Sequence, residues 1–244
     1  MKNILLAIIS VIMLSFVMNA QAPVENRIPM LGERAPSFEA TTTQGKITFP
    51  EDYYGKWKIL FSHPADFTPV CSTELLDMAD MFEEFKKLNT QLLVLSTDGI
   101  NSHLEWINSL ENIQKEEGRK VGIQFPLVPD VGLEISKTYG MIHPNISSAK
   151  TVRGVFLISP ENKICAMFFY PETTGRNLNE IKRTLIALQE SDKREVLTPS
   201  NWQPGDDFLL PCPVSKEEAE KMEKRGNPNL YSKDWYLWYE KNTK

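Results

Sequence analysis

An apolar run at residues 59–61 stops at Pro64, and Thr68-Pro69 then reads as a helix start, with Thr68 as N-cap and Pro69 at the first helical position. The helix that follows places Leu75, Met78, Ala79, Phe82, Phe85 and Leu88 at the spacing of one buried face. Glu83, Glu84, Lys86 and Lys87 take the solvated side. Leu92-Leu93-Val94-Leu95 comes next, a short run apolar throughout, as in a strand of a sheet covered on both faces. Strand, helix and strand make a βαβ crossover, so the two strands are expected to be parallel.

The remaining pattern extends this unit. Residues 38–41 and 46–49 flank Thr43-Gln44-Gly45 as a hairpin at the entrance of the domain. Residues 102–110 read as a helix with Leu104, Ile107 and Leu110 on one side, residues 125–130 as extended, and residues 135–139 as a short helix before Gly140. Residues 155–158 and 164–169 read as two strands joined at residues 159–163, hence an antiparallel pair. Asn177 with Glu180 resembles a capping box for a closing helix whose face is Leu178, Ile181, Leu185 and Leu188. This order is that of an α/β, thioredoxin-like fold, with a central mixed sheet flanked by helices over residues 29–190. From residue 191 to residue 244 the character changes to a C-terminal extension. There Pro199, Pro204, Pro211 and Pro213 alternate with Trp202, Phe208, Leu209 and Leu210, followed by a charged helix over residues 216–225 and an aromatic end at residues 235–239. Such a segment has little core of its own, so it is expected to pack on the main domain or on a partner subunit.

The chain has 244 residues, the size of one domain with an appendage. Its net charge of -5 and pI of about 5.4 offer no electrostatic footprint for nucleic acid. Residues 1–22 read as a secretory signal peptide: Lys2, an apolar run at residues 4–17, and the small-residue exit Asn19-Ala20-Gln21-Ala22. The run is short for a membrane span. Cleavage after Ala20 or Ala22 would leave a periplasmic or secreted protein without stable membrane insertion; an uncleaved anchor is the alternative.

Three cysteines, Cys71, Cys165 and Cys212, with no C-x-x-C, argue against a disulfide framework, a structural zinc site and a thioredoxin-type dithiol. No metal or cofactor is implied. Cys71 falls in the first turn of its helix, where the positive end of the dipole and unpaired backbone N–H groups favour the thiolate. Cys165, among Ile164 and residues 167–169, reads as buried and inert.

Pro64, Thr68 and Cys71 form Pro-x-x-x-Thr-x-x-Cys, the active-site motif of the peroxiredoxins, and with His63 in front and Thr73-Glu74-Leu75 behind the stretch resembles the one-cysteine branch. The resemblance covers nearly everything after the leader, including Asn201-Trp202 and Gly205-Asp206-Asp207. It implies a thiol-dependent peroxidase in which the Cys71 thiolate attacks hydrogen peroxide or a small organic hydroperoxide and becomes a sulfenic acid. It assigns Arg153 to holding the thiolate and binding the peroxide oxygens, Thr68 to bonding sulfur and peroxide, and Pro64 to shielding the thiolate from water. His63 and Glu74 match pocket-lining and arginine-orienting positions, and Arg176 a pocket support. His103 and His143 match no role and read as surface or core residues. The resemblance further implies an external thiol reductant and a homodimer or larger ring.

Two departures stand out. Some long-tailed relatives carry resolving cysteines near the aromatic end, whereas this chain has Cys212 in Leu210-Pro211-Cys212-Pro213, a possible resolving residue in a two-cysteine mechanism. Phospholipase-active members have a G-x-S-x-G-like element where this chain has Tyr54-Gly55-Lys56-Trp57-Lys58, so that activity is not expected. A holdase chaperone and a thiol–disulfide exchange protein are the rival readings.

Overall fold

The computed structural model describes residues 27–243; the leader expected at residues 1–22 lies outside them. Period-two alternation explains the uninterrupted apolar runs, because successive side chains of a strand point to opposite faces. In β3 (Trp57–Ser62), β4 (Thr90–Ser96) and β6 (Arg153–Ile158), Ile59, Phe61, Leu92, Val94, Val155 and Leu157 join one core cluster. Leu60, Leu93, Leu95, Phe156 and Ile158 join the other. With β5 (Leu127–Pro129) and β7 (Ile164–Tyr170) these strands form one sheet in the order β5-β4-β3-β6-β7. The β3–β4 pair is parallel as the crossover demands, and β6 pairs antiparallel with both β3 and β7.

The first cluster is covered by α1 (Pro69–Asp80), α2 (Phe82–Lys87), α3 (Ile100–Glu116) and α5 (Leu178–Arg194). The second lies under the hairpin of β1 (Phe38–Thr42) and β2 (Gly45–Phe49) and under α4 (Glu134–Thr138). The expected single helix after Thr68 is therefore two, broken at Met81, whose backbone has φ -86° and ψ -2°. Neither Gly nor Pro marks the break, and periodicity hides it because Leu75, Met78 and Phe85 on both pieces enter the same core. The helix expected over residues 102–110 extends further at its C-terminal side, to Glu116. The capping box of α5 is half made: Asn177 Oδ1 accepts from the Glu180 N–H, while the Glu180 carboxylate turns to Arg183 and Thr184.

Beyond α5, Trp202, Phe208 and Val196 gather on Ala187 in a small separate cluster. Trp202 Nε1 donates to Asp206 O at 3.1 Å, and Arg183 Nη1 donates to Trp202 O at 3.1 Å. The aromatic end is a hairpin: β9 (Leu230–Asp234) and β10 (Leu237–Glu240) pair antiparallel, with β8 (Phe208–Leu209) on the other edge of β10. Trp238 is buried there, but Trp235 and Tyr236 remain exposed. The Trp202→Ala substitution will remove the largest side chain of this cluster at a cost of about 3–5 kcal/mol. Hydrogen exchange should then show lost protection in β8–β10 with β3 and β6 unchanged; equal loss in both would mean that the arm and the sheet unfold as one unit.

Candidate active site

Between β3 and α1 the chain turns through residues 63–67, with Phe67 in the left-handed region at φ 54°. Thr68 is extended and Pro69 opens the helix, so Cys71 is in the first turn and fully buried. The hydroxyl of Thr68 departs from the expected cap. It donates to Ala65 O at 2.9 Å within the loop and makes no bond to the helix N–H groups, leaving its oxygen lone pairs as acceptors beside the sulfur's turn. Pro64 is buried.

Arg153 begins β6, directly across the sheet-helix layer, and its Nη1 lies 3.2 Å from Cys71 Sγ. A guanidinium at that distance stabilises negative charge on sulfur, as does the helix N-terminus. The same Nη1 donates to Glu74 Oε2 at 2.9 Å, and Nε and Nη2 donate to Glu172 O at 3.1 and 2.6 Å. Only a second N–H on Nη2 is left to face an incoming oxygen. Glu74, one helical turn beyond Cys71, is shared with Arg176, which donates through Nε to Oε1 at 2.9 Å and through Nη2 to Oε2 at 2.6 Å. Arg176 is anchored in turn by Ser62 O and Gly154 O. Burial alone would raise the Glu74 pKa, but Arg176 and then Arg153 outweigh it and hold the carboxyl below its ordinary range.

Hydrogen bonds therefore connect Cys71, Arg153, Glu74 and Arg176, with Pro64 and Thr68 in the loop just before the cysteine's helix. His63 is buried beside them, with Nε2 2.9 Å from Asp66 Oδ1, and Asp66 Oδ2 is 2.8 Å from His103 Nδ1. This second cluster was missed at the sequence level: Asp66 sits inside the motif loop, but nothing local links it to His103, 37 residues away. His143 packs on Phe169 at 5.5 Å between ring centres. All three cysteines are free thiols. Cys165 is half-buried rather than fully buried, because β7 is an edge strand, and burial still pushes its thiol up. Cys212 is exposed with Sγ turned to Pro213 O at 3.3 Å, and the structure does not join it to Cys71.

Two matches decide the family. Residues 31–167 match the AhpC/TSA family, and residues 187–226 match the C-terminal domain of 1-Cys peroxiredoxin. The chain is a peroxiredoxin. A peroxiredoxin of Methanosarcina mazei is 46% identical over 217 residues, covering 88% of this chain and 99% of that one. One of Aquifex aeolicus is 44% identical, covering 86% and 96%. Among solved structures, the yeast mitochondrial 1-Cys peroxiredoxin superposes with a TM-score of 0.77 at 40% identity, covering 88% of this chain and 100% of its own. A cysteine-to-serine mutant of the peroxiredoxin 6 of Arenicola marina gives 0.78 at 37% identity, covering 88% and 99%. This peroxiredoxin is thus a thiol-dependent peroxidase on a thioredoxin-like fold.

The buried acid–histidine cluster sets how its stability responds to acid. Burial lowers the His63 pKa from 6.5, Asp66 offsetting only part of that; Asp66 itself is held well below 3.8 by His103 and His63 against its own burial. Both shifts are depressions, so the unfolded chain binds more protons and stability falls as pH falls, first from His63 below about 6.5 and then from the carboxylates below about 4.5. Urea unfolding between pH 7 and pH 5 should show a falling midpoint, by at most ~1.4 kcal/mol per pH unit for one proton. A midpoint independent of pH over that interval would contradict a neutral, buried His63.

Proposed function

We propose that Cys71 is the peroxidatic cysteine, with Thr68 and Arg153 binding the peroxide and Pro64, Glu74 and Arg176 holding the pocket. The observation that carries this is the Arg153 guanidinium, 3.2 Å from Cys71 Sγ while braced by Glu74 and Glu172 O. The thiolate attacks one oxygen of hydrogen peroxide or a small organic hydroperoxide, the O–O bond breaks, and water or an alcohol leaves after taking up a proton. Cys71 is left as sulfenic acid. The charge developing on the leaving oxygen meets the remaining Nη2 N–H of Arg153, a donor already fixed in place.

An external thiol completes the cycle: it attacks the sulfenic sulfur, water leaves, and a second thiol releases Cys71 from the mixed disulfide. The solved yeast mitochondrial relative is described as resolved through glutathione and thioredoxin systems, and thiols of that class are the reductants inferred for this chain. The exposed position of Cys212 supports a place outside the first oxidation step. A homodimer is also proposed. Its support is the outer edge of β7, the last strand of the sheet, whose half-buried Met167, Phe168 and Phe169 offer an apolar surface for pairing. The basic and apolar leader at residues 1–22 supports export to the periplasm or beyond. Among the described residues no helix is long and apolar enough to cross a membrane.

Trapping tests the assignment. After one equivalent of hydrogen peroxide in the presence of dimedone, the adduct is expected on the peptide carrying Cys71 and not on those carrying Cys165 or Cys212. An adduct confined to another cysteine would overturn it. The amino terminus of the protein recovered from the extracytoplasmic fraction tests export, with a chain starting after Ala20 or Ala22 expected and an intact Met1 contrary.

A further inference from the structure

Asp66 lies between two imidazoles with its side chain 1% exposed. An ionised carboxylate only accepts hydrogen bonds, so the contacting nitrogens, His63 Nε2 and His103 Nδ1, both carry hydrogens. The opposite nitrogens, His63 Nδ1 and His103 Nε2, are buried without a partner. Asp66 thus sets the tautomer of both rings, and protonating His63 would bury an N–H with nothing to receive it. The charged groups around this cluster are Asp98, two residues beyond β4, and Arg176 from the loop before α5.

The cluster fastens the loop that delivers the site. The Asp66 N–H donates to Asp98 Oδ2 at 2.9 Å, an oxygen that also accepts from Ser96 Oγ at 2.8 Å. The His63 N–H donates to Leu95 O at 3.0 Å, and His63 O accepts from Thr151 Oγ1 at 2.7 Å. The backbone at Phe67 is left-handed although its side chain is 57% exposed, a conformation that persists only where its surroundings impose it. The next residue is Thr68. His63, Asp66 and Asp98 each bring a ligand-type atom within 4.8 Å of the others, and among their atoms His63 Nε2, Asp66 Oδ1 and Asp98 Oδ2 are engaged in hydrogen bonds that fasten the loop.

We propose that Asp66 and His103 are positioning residues for peroxide reduction: the α3 imidazole holds the Asp66 carboxylate, which holds residues 63–67 and with them Thr68 and the amino end of α1 that carries Cys71. This rests on the peroxidase reading of Cys71. Their role is exerted through Thr68 and not through the charge on sulfur, because neither residue bonds to Arg153 or Glu74.

The test uses the full chain with Asp66→Asn, His103→Ala and His103→Gln, the last retaining a side-chain N–H donor. Stopped-flow tryptophan fluorescence reads the rate of Cys71 oxidation by hydrogen peroxide, and ultraviolet absorbance reads the thiolate at neutral pH. Asp66→Asn and His103→Ala are expected to slow oxidation about tenfold to a hundredfold, the scale of an ångström-sized misplacement. Thiolate absorbance should be retained, and His103→Gln should recover most of the rate. Proton NMR of the wild type should show two low-field imidazole N–H signals, one of which His103→Ala removes. If His103→Ala lowers only the melting temperature and leaves the rate per folded molecule within about twofold of wild type, the proposal fails. Should Asp66→Asn not fold, the two His103 variants decide alone. Failure of the peroxidase reading is distinguishable, because wild type itself would then not consume peroxide.

Discussion

Arg153→Met will slow the reaction of Cys71 with hydrogen peroxide by about two to three orders of magnitude, the cost of removing one preorganised donor from a developing oxyanion. Arg153 is 2% exposed, and its guanidinium meets a sulfur, a carboxylate and a backbone carbonyl at once. Methionine fills a similar volume but removes the donors to Sγ and to the leaving oxygen together. Arg153→Lys is the finer probe. A single ammonium cannot reach Sγ and Glu172 O in the geometry of a planar fork, so it should recover only part of the rate. Glu74 keeps Arg176 as a partner in both variants, so the fold should survive and the loss should lie in the chemical step. Stopped-flow oxidation kinetics on each variant check this; a Met variant as fast as wild type would remove Arg153 from the reaction.

Glu74→Ala will cost about 3–5 kcal/mol of stability, because it leaves two buried guanidinium groups without their shared counter-charge. Glu74 is 3% exposed and accepts from Arg153 Nη1 and from the backbone N, Nε and Nη2 of Arg176. Without it the two cations repel across the emptied space, and Arg153 loses the brace that points it at Cys71. Activity should therefore fall with stability, whereas Arg153→Met lowers activity far more than stability. Urea denaturation at neutral pH, with the slope unchanged, measures the first effect. A shift below about 1 kcal/mol would mean that water or a neighbouring group already neutralises the pair.

The parallel β3–β4 pair, the antiparallel β6–β7 pair and the reactive helix were legible because they rest on local signals. Apolar runs at residues 59–61, 92–95 and 155–158 announce buried strands, and Thr68-Pro69 just ahead of the apolar periodicity of residues 75–88 marks a helix start. The site residues Arg153, Glu74 and Arg176 came from the motif resemblance, and the geometry brings them to Cys71. What was not legible depends on contacts between distant residues. The break at Met81 has no sequence punctuation. The Asp66–His103 pair joins a loop to a helix that only tertiary structure brings together, so His103 read as an unassigned residue. The hydroxyl of Thr68 has a choice of partners, helix N–H or loop carbonyl, and the turn imposed by the left-handed Phe67 decides for Ala65 O. The exposure of Trp235 and Tyr236 likewise depends on how β9 and β10 pair, which the aromatic spacing does not encode.

The most direct test of the one-cysteine mechanism is the intact mass of the reduced chain after one equivalent of hydrogen peroxide, for wild type, Cys71→Ser and Cys212→Ser. The account predicts a single added oxygen in wild type and in Cys212→Ser, and none in Cys71→Ser. A loss of two hydrogens or a covalent dimer that disappears in Cys212→Ser would instead make Cys212 the resolving residue, and an oxygen retained in Cys71→Ser would contradict the assignment of Cys71.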